Sequence, residues 1–119
     1  MGTISERWPA TRRVVLEGAQ DRGQPIVLSE FGGISLVSEP GAGWHGYSNA
    51  RNSEELAARL QDLFTAVLGC RGLAGYCYTQ LTDTEQEANG LVYEDRKPKL
   101  PLARIREIVE GRRSAGPTM

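Results

Sequence analysis

The stretch PIVLSEFGG, residues 25–33, decides the fold class of this protein. Its first five residues, 25–29, are short, β-rich and opened by a proline, which predicts a strand buried on both faces. Such strands usually belong to parallel sheets, because helical crossovers cover both faces of a parallel sheet. Glu30 follows at once, so we expect an acidic side chain at the carboxyl end of this strand.

An amphipathic helix is predicted further along the chain. Asn52 and Glu55 have the spacing of a capping box, and Gly69 ends the pattern. The apolar positions recur with the helical period, at Leu56, Leu60, Leu63, Phe64, Val67 and Leu68. We therefore expect a helix with one apolar face between Asn52 and Gly69.

The remaining segments complete an alternating order of helices and strands. Residues 10–20 predict a first helix, residues 73–79 predict a second strand, and Pro98 and Pro101 precede a final helix. The apolar stripe of that final helix consists of Leu102, Ile105, Ile108 and Val109. This alternation predicts an α/β fold with parallel strands and right-handed crossovers.

No linker divides the sequence, so we expect residues 1–119 to form a single segment. Residues 32–52 are rich in Gly, Ser and Pro and predict a long loop. Residues 111–119 predict a flexible tail.

Composition narrows the classes of partner. The chain has 14 Lys and Arg against 15 Asp and Glu, a net charge of -1, which argues against binding to nucleic acid or to a membrane surface. Its two cysteines and one histidine cannot build a structural zinc site. Residues 1–8 lack the apolar core of a signal peptide, and no apolar run is long enough to span a bilayer, so we expect a cytoplasmic protein.

Three further sequence patterns suggest a dinucleotide site, a calcium site and a disulfide, but none of them meets the requirements of that site or bond. Residues 41–46 match GxGxxG, but no predicted strand precedes them and no helix opens at the third glycine. The acidic residues Asp83, Glu85 and Glu87 lack the ligand pattern of a calcium loop and predict a solvated loop. Cys70 and Cys77 lie too far apart along a strand to pair, so we expect buried free thiols.

Glu30 is the first candidate for chemistry, because α/β folds bind ligands at the carboxyl ends of parallel strands. A solvated or salt-bridged surface glutamate is an equal alternative on position alone. Trp44 and Tyr78 belong to an aromatic group near the strand ends, where rings stack on sugars or pack beneath a loop. His45 is predicted to be a hydrogen-bonding loop histidine, with or without a ligand, and a metal ligand or triad base is the lesser alternative.

Two stretches together resemble a known family. PIVLSEFGG, residues 25–33, and GYCYTQLTDTEQEANGLVYEDRKPK, residues 75–99, closely resemble the end of the catalytic barrel in glycoside hydrolase family 2, which includes β-galactosidases and β-glucuronidases. The resemblance covers about residues 10–108. It implies a partial TIM barrel, made of the last two βα units with long βα loops, and hydrolysis of O-glycosidic bonds with retention.

The resemblance also implies roles for individual residues. Glu30 falls on the catalytic nucleophile at the end of the seventh strand, and Tyr78 stands where many members have a substrate-contacting tryptophan. Trp44 and His45 look like walls of the active site, and Gln80 is expected to line it. No metal or other cofactor is implied.

The expected partner is a carbohydrate, and the chain is expected to be catalytically incomplete. In the family the acid/base glutamate follows an asparagine, and this sequence contains no Asn-Glu dipeptide. A complete barrel takes about 250 residues, so we expect the C-terminal portion of a longer barrel that pairs with the remaining portion or with itself. The alternatives are a carbohydrate-binding module without catalysis and a relic fragment.

Overall fold

The computed structural model describes residues 17–37 and 48–112, which form a small α/β structure. The elements in chain order are β1 (Val27–Gly32), β2 (Ile34–Leu36), β3 (Ser48–Ala50), α1 (Ser53–Leu68), β4 (Gly75–Thr79) and α2 (Leu102–Val109). Strand β1 pairs with β4, β2 pairs with β3, and both pairs are parallel. The predicted α/β class with parallel strands is confirmed.

Helix α1 begins and ends where its sequence predicts. The side-chain oxygen of Asn52 accepts a hydrogen bond from the Glu55 backbone N–H at 2.8 Å, which satisfies one of the unpaired donors of the first turn. The carboxylate of Glu55 accepts the backbone N–H of Arg51 at 3.1 Å, so the reciprocal half of the predicted capping box goes to the preceding residue. Gly69 ends the helix.

The hydrophobic core lies where α1 meets the two short sheets and α2. Its buried members are Ile34, Ala50, Leu56, Leu60, Phe64, Leu100 and Ile108. Three of these lie on the predicted apolar face of α1, and Ile108 comes from the predicted stripe of α2. Helical periodicity therefore identified the core-facing side of both helices.

Two predictions about the first part of the chain are corrected. The predicted helix 10–20 is not continued in its described part, since residues 17–20 form a turn and irregular backbone, and residues 10–16 lie outside the described residues. The predicted loop 32–52 contains β2 and β3. Each of these strands has three residues, too few for an alternating pattern to become visible in the sequence.

The prediction that residues 25–29 are buried on both faces is wrong. Strand β1 begins at Val27, whose exposed fraction is 53%, and Ser29 and Glu30 are exposed as well. An apolar run cannot by itself distinguish one covered face from two. Helix α1 covers only one face of β1, where the Phe64 ring packs against Phe31.

The other boundaries differ by small amounts. The second strand is shorter than predicted and begins at Gly75. Helix α2 begins directly after Pro101, as predicted, and Pro98 lies before it in an isolated antiparallel β-bridge with Val92. No helix among the described residues is long and apolar enough to cross a bilayer. Of the predicted tail 111–119, only Gly111 and Arg112 belong to the described residues.

Candidate functional site

The sheet formed by β1 and β4 has two chemically different faces. Leu28 pairs with Tyr76, and Phe31 pairs with Tyr78, so these four side chains share one face. The ring of Phe64 from α1 packs against Phe31, with 5.4 Å between ring centroids. The aromatic face of the sheet is therefore the face that α1 covers.

Glu30 lies in a β-bulge on the opposite face. Between the pairs Leu28–Tyr76 and Phe31–Tyr78, strand β1 has two residues, Ser29 and Glu30, where β4 has one, Cys77. A bulge bends its strand and redirects the extra side chain, and bulges are frequent beside active sites. Glu30 thus lies inside β1, two residues before its end, and not beyond it as predicted.

We call this surface the open face and define it by Val27, Glu30, Gly75 and Cys77. Val27 is 53% exposed, and both Glu30 and Cys77 are exposed. Gly75 has no side chain, and a β-carbon built there would be 3.9 Å from Val27 Cγ2. Among the described residues, the other members of the open face therefore have small side chains or none.

The carboxyl ends of β1 and β4 are held together just beyond Glu30. The N–H of Gly33 donates to the carbonyl of Thr79 at 2.7 Å. Gly32 has a φ of +111°, a conformation that side chains with a β-carbon rarely adopt, and a β-carbon there would overlap the Tyr78 ring. Gly32 therefore allows the close approach of the two strands.

Tyr78, a predicted substrate contact, packs on the face that α1 covers. Its ring lies 5.3 Å from that of Phe31 and 5.4 Å from that of Phe64, measured between centroids. Burial raises the pKa of Tyr78 to about 12, because the phenolate would lose its hydration. The structure places the Tyr78 ring and the Glu30 side chain on opposite faces, and a sugar contact by Tyr78 stays a prediction.

Gln80, the other described candidate, lies at the carboxyl end of the sheet. It follows Thr79, whose partner in β1 is Gly32. Its side-chain Nε2 donates to Asn89 Oδ1 at 2.6 Å and lies 3.3 Å from Glu87 Oε2. The amide group is therefore oriented before any ligand binds. Trp44 and His45 lie outside the described residues, so their predicted roles stay predictions.

Sequence reasoning misassigned two side chains near this site. The described cysteines are both free, as predicted, but Cys77 is exposed on the open face and Cys70 is partly buried. The alternation Tyr76, Cys77, Tyr78 could have revealed the orientation of Cys77, since alternate residues of a strand face opposite ways. Glu85 and Glu87 are exposed as predicted for a solvated loop.

Asp83 was predicted to be solvated, and this prediction is wrong. Its carboxylate accepts a hydrogen bond from Lys99 Nζ at 2.6 Å, and its side chain is 16% exposed. The partner lies sixteen residues further along the chain. No local sequence pattern reports a contact across that separation.

Comparison with known proteins gives no family assignment. No protein-family model matches the chain, and no curated protein matches it. Among the described residues, no group of three or more His, Cys, Asp or Glu side chains is arranged to hold a metal ion.

Proposed function

We propose that this chain carries the nucleophile of a retaining β-glycosidase and that Glu30 is that nucleophile. The observation that carries the proposal is the position of Glu30, an exposed carboxylate in a bulge near the carboxyl ends of two parallel strands. Catalytic groups of β/α barrels occupy this end of their strands. The resemblance of residues 25–33 and 75–99 to glycoside hydrolase family 2 supports the same assignment.

The first half of the reaction needs only one carboxylate from this chain. Glu30 attacks the anomeric carbon, a carbon–oxygen ester bond forms, and the bond to the leaving oxygen breaks with its electron pair on the aglycone. An ordinary sugar leaving group takes a proton from a second carboxyl group. Water then attacks the anomeric carbon, gives up a proton to that group, and releases Glu30.

We also propose that β1 and β4 belong to a sheet with more strands than this chain supplies. Parallel sheets have both faces covered in folded proteins, and a two-stranded sheet is marginal in water. Here the described part of the chain covers one face of β1 and β4 and leaves Val27, Cys77 and Glu30 exposed on the other. We therefore propose that the chain forms the last two βα units of a barrel, whose other strands supply the second carboxyl group.

A cytoplasmic location belongs to the same proposal. Cys70 and Cys77 are free thiols, and Cys77 is exposed. Exposed thiols persist in the reducing cytoplasm and are readily oxidised outside it.

The test uses a substrate whose leaving group needs no protonation. Deoxyfluoro-β-galactoside and deoxyfluoro-β-glucuronide with a dinitrophenolate leaving group form a glycosyl ester that hydrolyses slowly, because the fluorine destabilises both transition states. We expect the intact chain to gain about one sugar, located by peptide mapping on Glu30. The change Glu30→Gln removes the nucleophilic oxygen charge and is expected to abolish the adduct.

The matched control is Glu54→Gln, which removes an exposed carboxylate from the first turn of α1. This variant is expected to label like the wild-type chain. An adduct that survives Glu30→Gln would show that another group reacts, and no adduct from either reagent would contradict the proposed nucleophile. Saturable binding without an adduct would assign the alternative, a carbohydrate-binding role without catalysis.

A further inference from the structure

Lys99 is a buried cation that the proposed chemistry does not use. Its side chain is 1% exposed, and its Nζ donates to Asp83 Oδ1 at 2.6 Å and to the carbonyl of Ala88 at 2.8 Å. The ring of Tyr93 lies on its remaining side, 5.3 Å from Nζ to the centroid. All polar directions of the ammonium group therefore have partners within the segment 80–99.

The contacts of Lys99 fix the backbone on both sides of Asn89. Lys99 binds the carbonyl of Ala88, and Asp83 Oδ1, which Lys99 also binds, accepts the N–H of Gly90 at 2.7 Å. A β-carbon at Gly90 would overlap the backbone of Asp83 and of the residue before it. Residue 90 is thus a glycine because the chain must approach this closely.

Asn89 in turn fixes Gln80. Asn89 is 4% exposed, its Oδ1 accepts Gln80 Nε2 at 2.6 Å, and its carbonyl accepts the Gln80 backbone N–H at 3.3 Å. The nearby Glu87 carboxylate can only accept, which identifies the amide nitrogen on this side. All hydrogen bonds of the Gln80 side chain with described residues use Nε2, and its carbonyl oxygen, Oε1, receives none from them.

The ion pair is largely withdrawn from water, since the Lys99 side chain is 1% exposed and the Asp83 side chain is 16% exposed. The loss of hydration offsets most of the attraction between the charges, so such a pair contributes little net stability and serves better to fix one geometry. The geometry fixed here is the backbone at Asn89 and, through it, the amide plane of Gln80 at the end of the sheet that carries Glu30.

We infer that Lys99 is a positioning residue for sugar binding, acting through Asn89 to hold Gln80 Oε1 ready to accept a hydrogen bond from a sugar hydroxyl. This inference rests on the proposed function. Lys99 touches neither Glu30 nor the sugar. Its loss therefore weakens sugar binding and leaves the attack by Glu30 at saturation unchanged.

The test compares Lys99→Met with Lys97→Met in the full chain. Lys97 is a matched control because its side chain is 81% exposed and its ion pair with Asp95 spans 3.5 Å at the surface. Labelling by the activated fluoroglycoside is followed against reagent concentration. For Lys99→Met we expect the half-saturating concentration to rise about threefold to tenfold, the equivalent of one hydrogen bond, and the limiting rate to stay within about twofold.

A double-mutant cycle separates positioning from general loosening. If Lys99 acts through Gln80, adding Lys99→Met to Gln80→Ala brings no further loss of binding. The side-chain amide protons of Gln80 give a second readout by NMR, and we expect their shifts to move toward those of a solvated amide in Lys99→Met only. If Lys99→Met does not fold, Asp83→Asn weakens the same contact while keeping the shape of the acceptor.

The outcomes separate this inference from the proposed function. A wild-type chain that forms no ester at Glu30 contradicts the proposed function, and the NMR signals of Gln80 then decide the positioning step. Additive binding losses in the double variant, a fall in the limiting rate alone, or Gln80 amide signals indifferent to Lys99→Met would overturn the inference.

Discussion

Replacing Phe64 by alanine is the sharpest test of how the open face is supported. Phe64 is 1% exposed, and its ring lies 5.4 Å from that of Phe31, 5.9 Å from that of Tyr76 and 5.4 Å from that of Tyr78. It is the residue of α1 whose ring packs against aromatic side chains of both β1 and β4. Removing the ring opens a cavity between the helix and the sheet that carries Glu30.

The expected loss follows from the size of the cavity. Truncating a buried phenylalanine to alanine costs about 3–5 kcal/mol, including the loss of its aromatic contacts. Small domains unfold with a free energy of about 5–15 kcal/mol, so Phe64→Ala removes a large part of the total. We expect urea denaturation, followed by circular dichroism, to give a midpoint far below that of the wild-type chain with an unchanged slope.

The control for this prediction is Leu68→Ala on the same helix. Leu68 is 45% exposed, so its truncation is expected to cost less than about 1 kcal/mol. Equal effects of Phe64→Ala and Leu68→Ala, or a loss below about 1 kcal/mol for Phe64→Ala, would refute the packing of α1 on the aromatic face.

Three further predictions concern the same structure. Burial raises the pKa of Tyr78 from 10.0 in the unfolded chain to about 12. Its contribution to stability is therefore full below pH 10 and is lost as the pH rises towards 12. Denaturation measured across this range should show the free energy of unfolding of the wild-type chain falling by at most about 3 kcal/mol relative to Tyr78→Phe. Asn52→Ala removes the cap of α1 and is expected to lower the free energy of unfolding by about 1 kcal/mol. Alkylation of Cys77 by N-ethylmaleimide in a Cys70→Ser chain should block labelling of Glu30, because the two side chains share the open face.

Each of these has a result that would count against it. A pH dependence identical in wild type and Tyr78→Phe would place the tyrosine in water. A free energy of unfolding that is the same for Asn52→Ala as for the wild-type chain would mean that the Asn52 cap does not stabilise α1. Undiminished labelling of Glu30 after complete alkylation of Cys77 would show that the two side chains point to different faces.

The helices of this protein were predictable because their information is local. Asn52 caps the helix within three residues, and the apolar side of α1 repeats every three to four residues, so Leu56, Leu60 and Phe64 could be assigned to the core from the sequence. The existence and parallel direction of β1 and β4 also followed from their composition and from the helix between them.

Contacts between distant residues were decided by the tertiary structure alone. The bulge that turns Glu30 onto the open face exists only in the pairing of β1 with β4, since an extra residue has no meaning without a partner strand. The same holds for the contact of Lys99 with Asp83, which makes a partly buried ion-pair partner of an acidic residue that the sequence assigned to the surface. The sequence by itself determined which residue types could do chemistry. The packing of β4 against β1 decided that Glu30 and Cys77 share one face while Tyr78 faces the helix. The physical reason is that a side chain acquires neighbours from another strand only when the two strands meet.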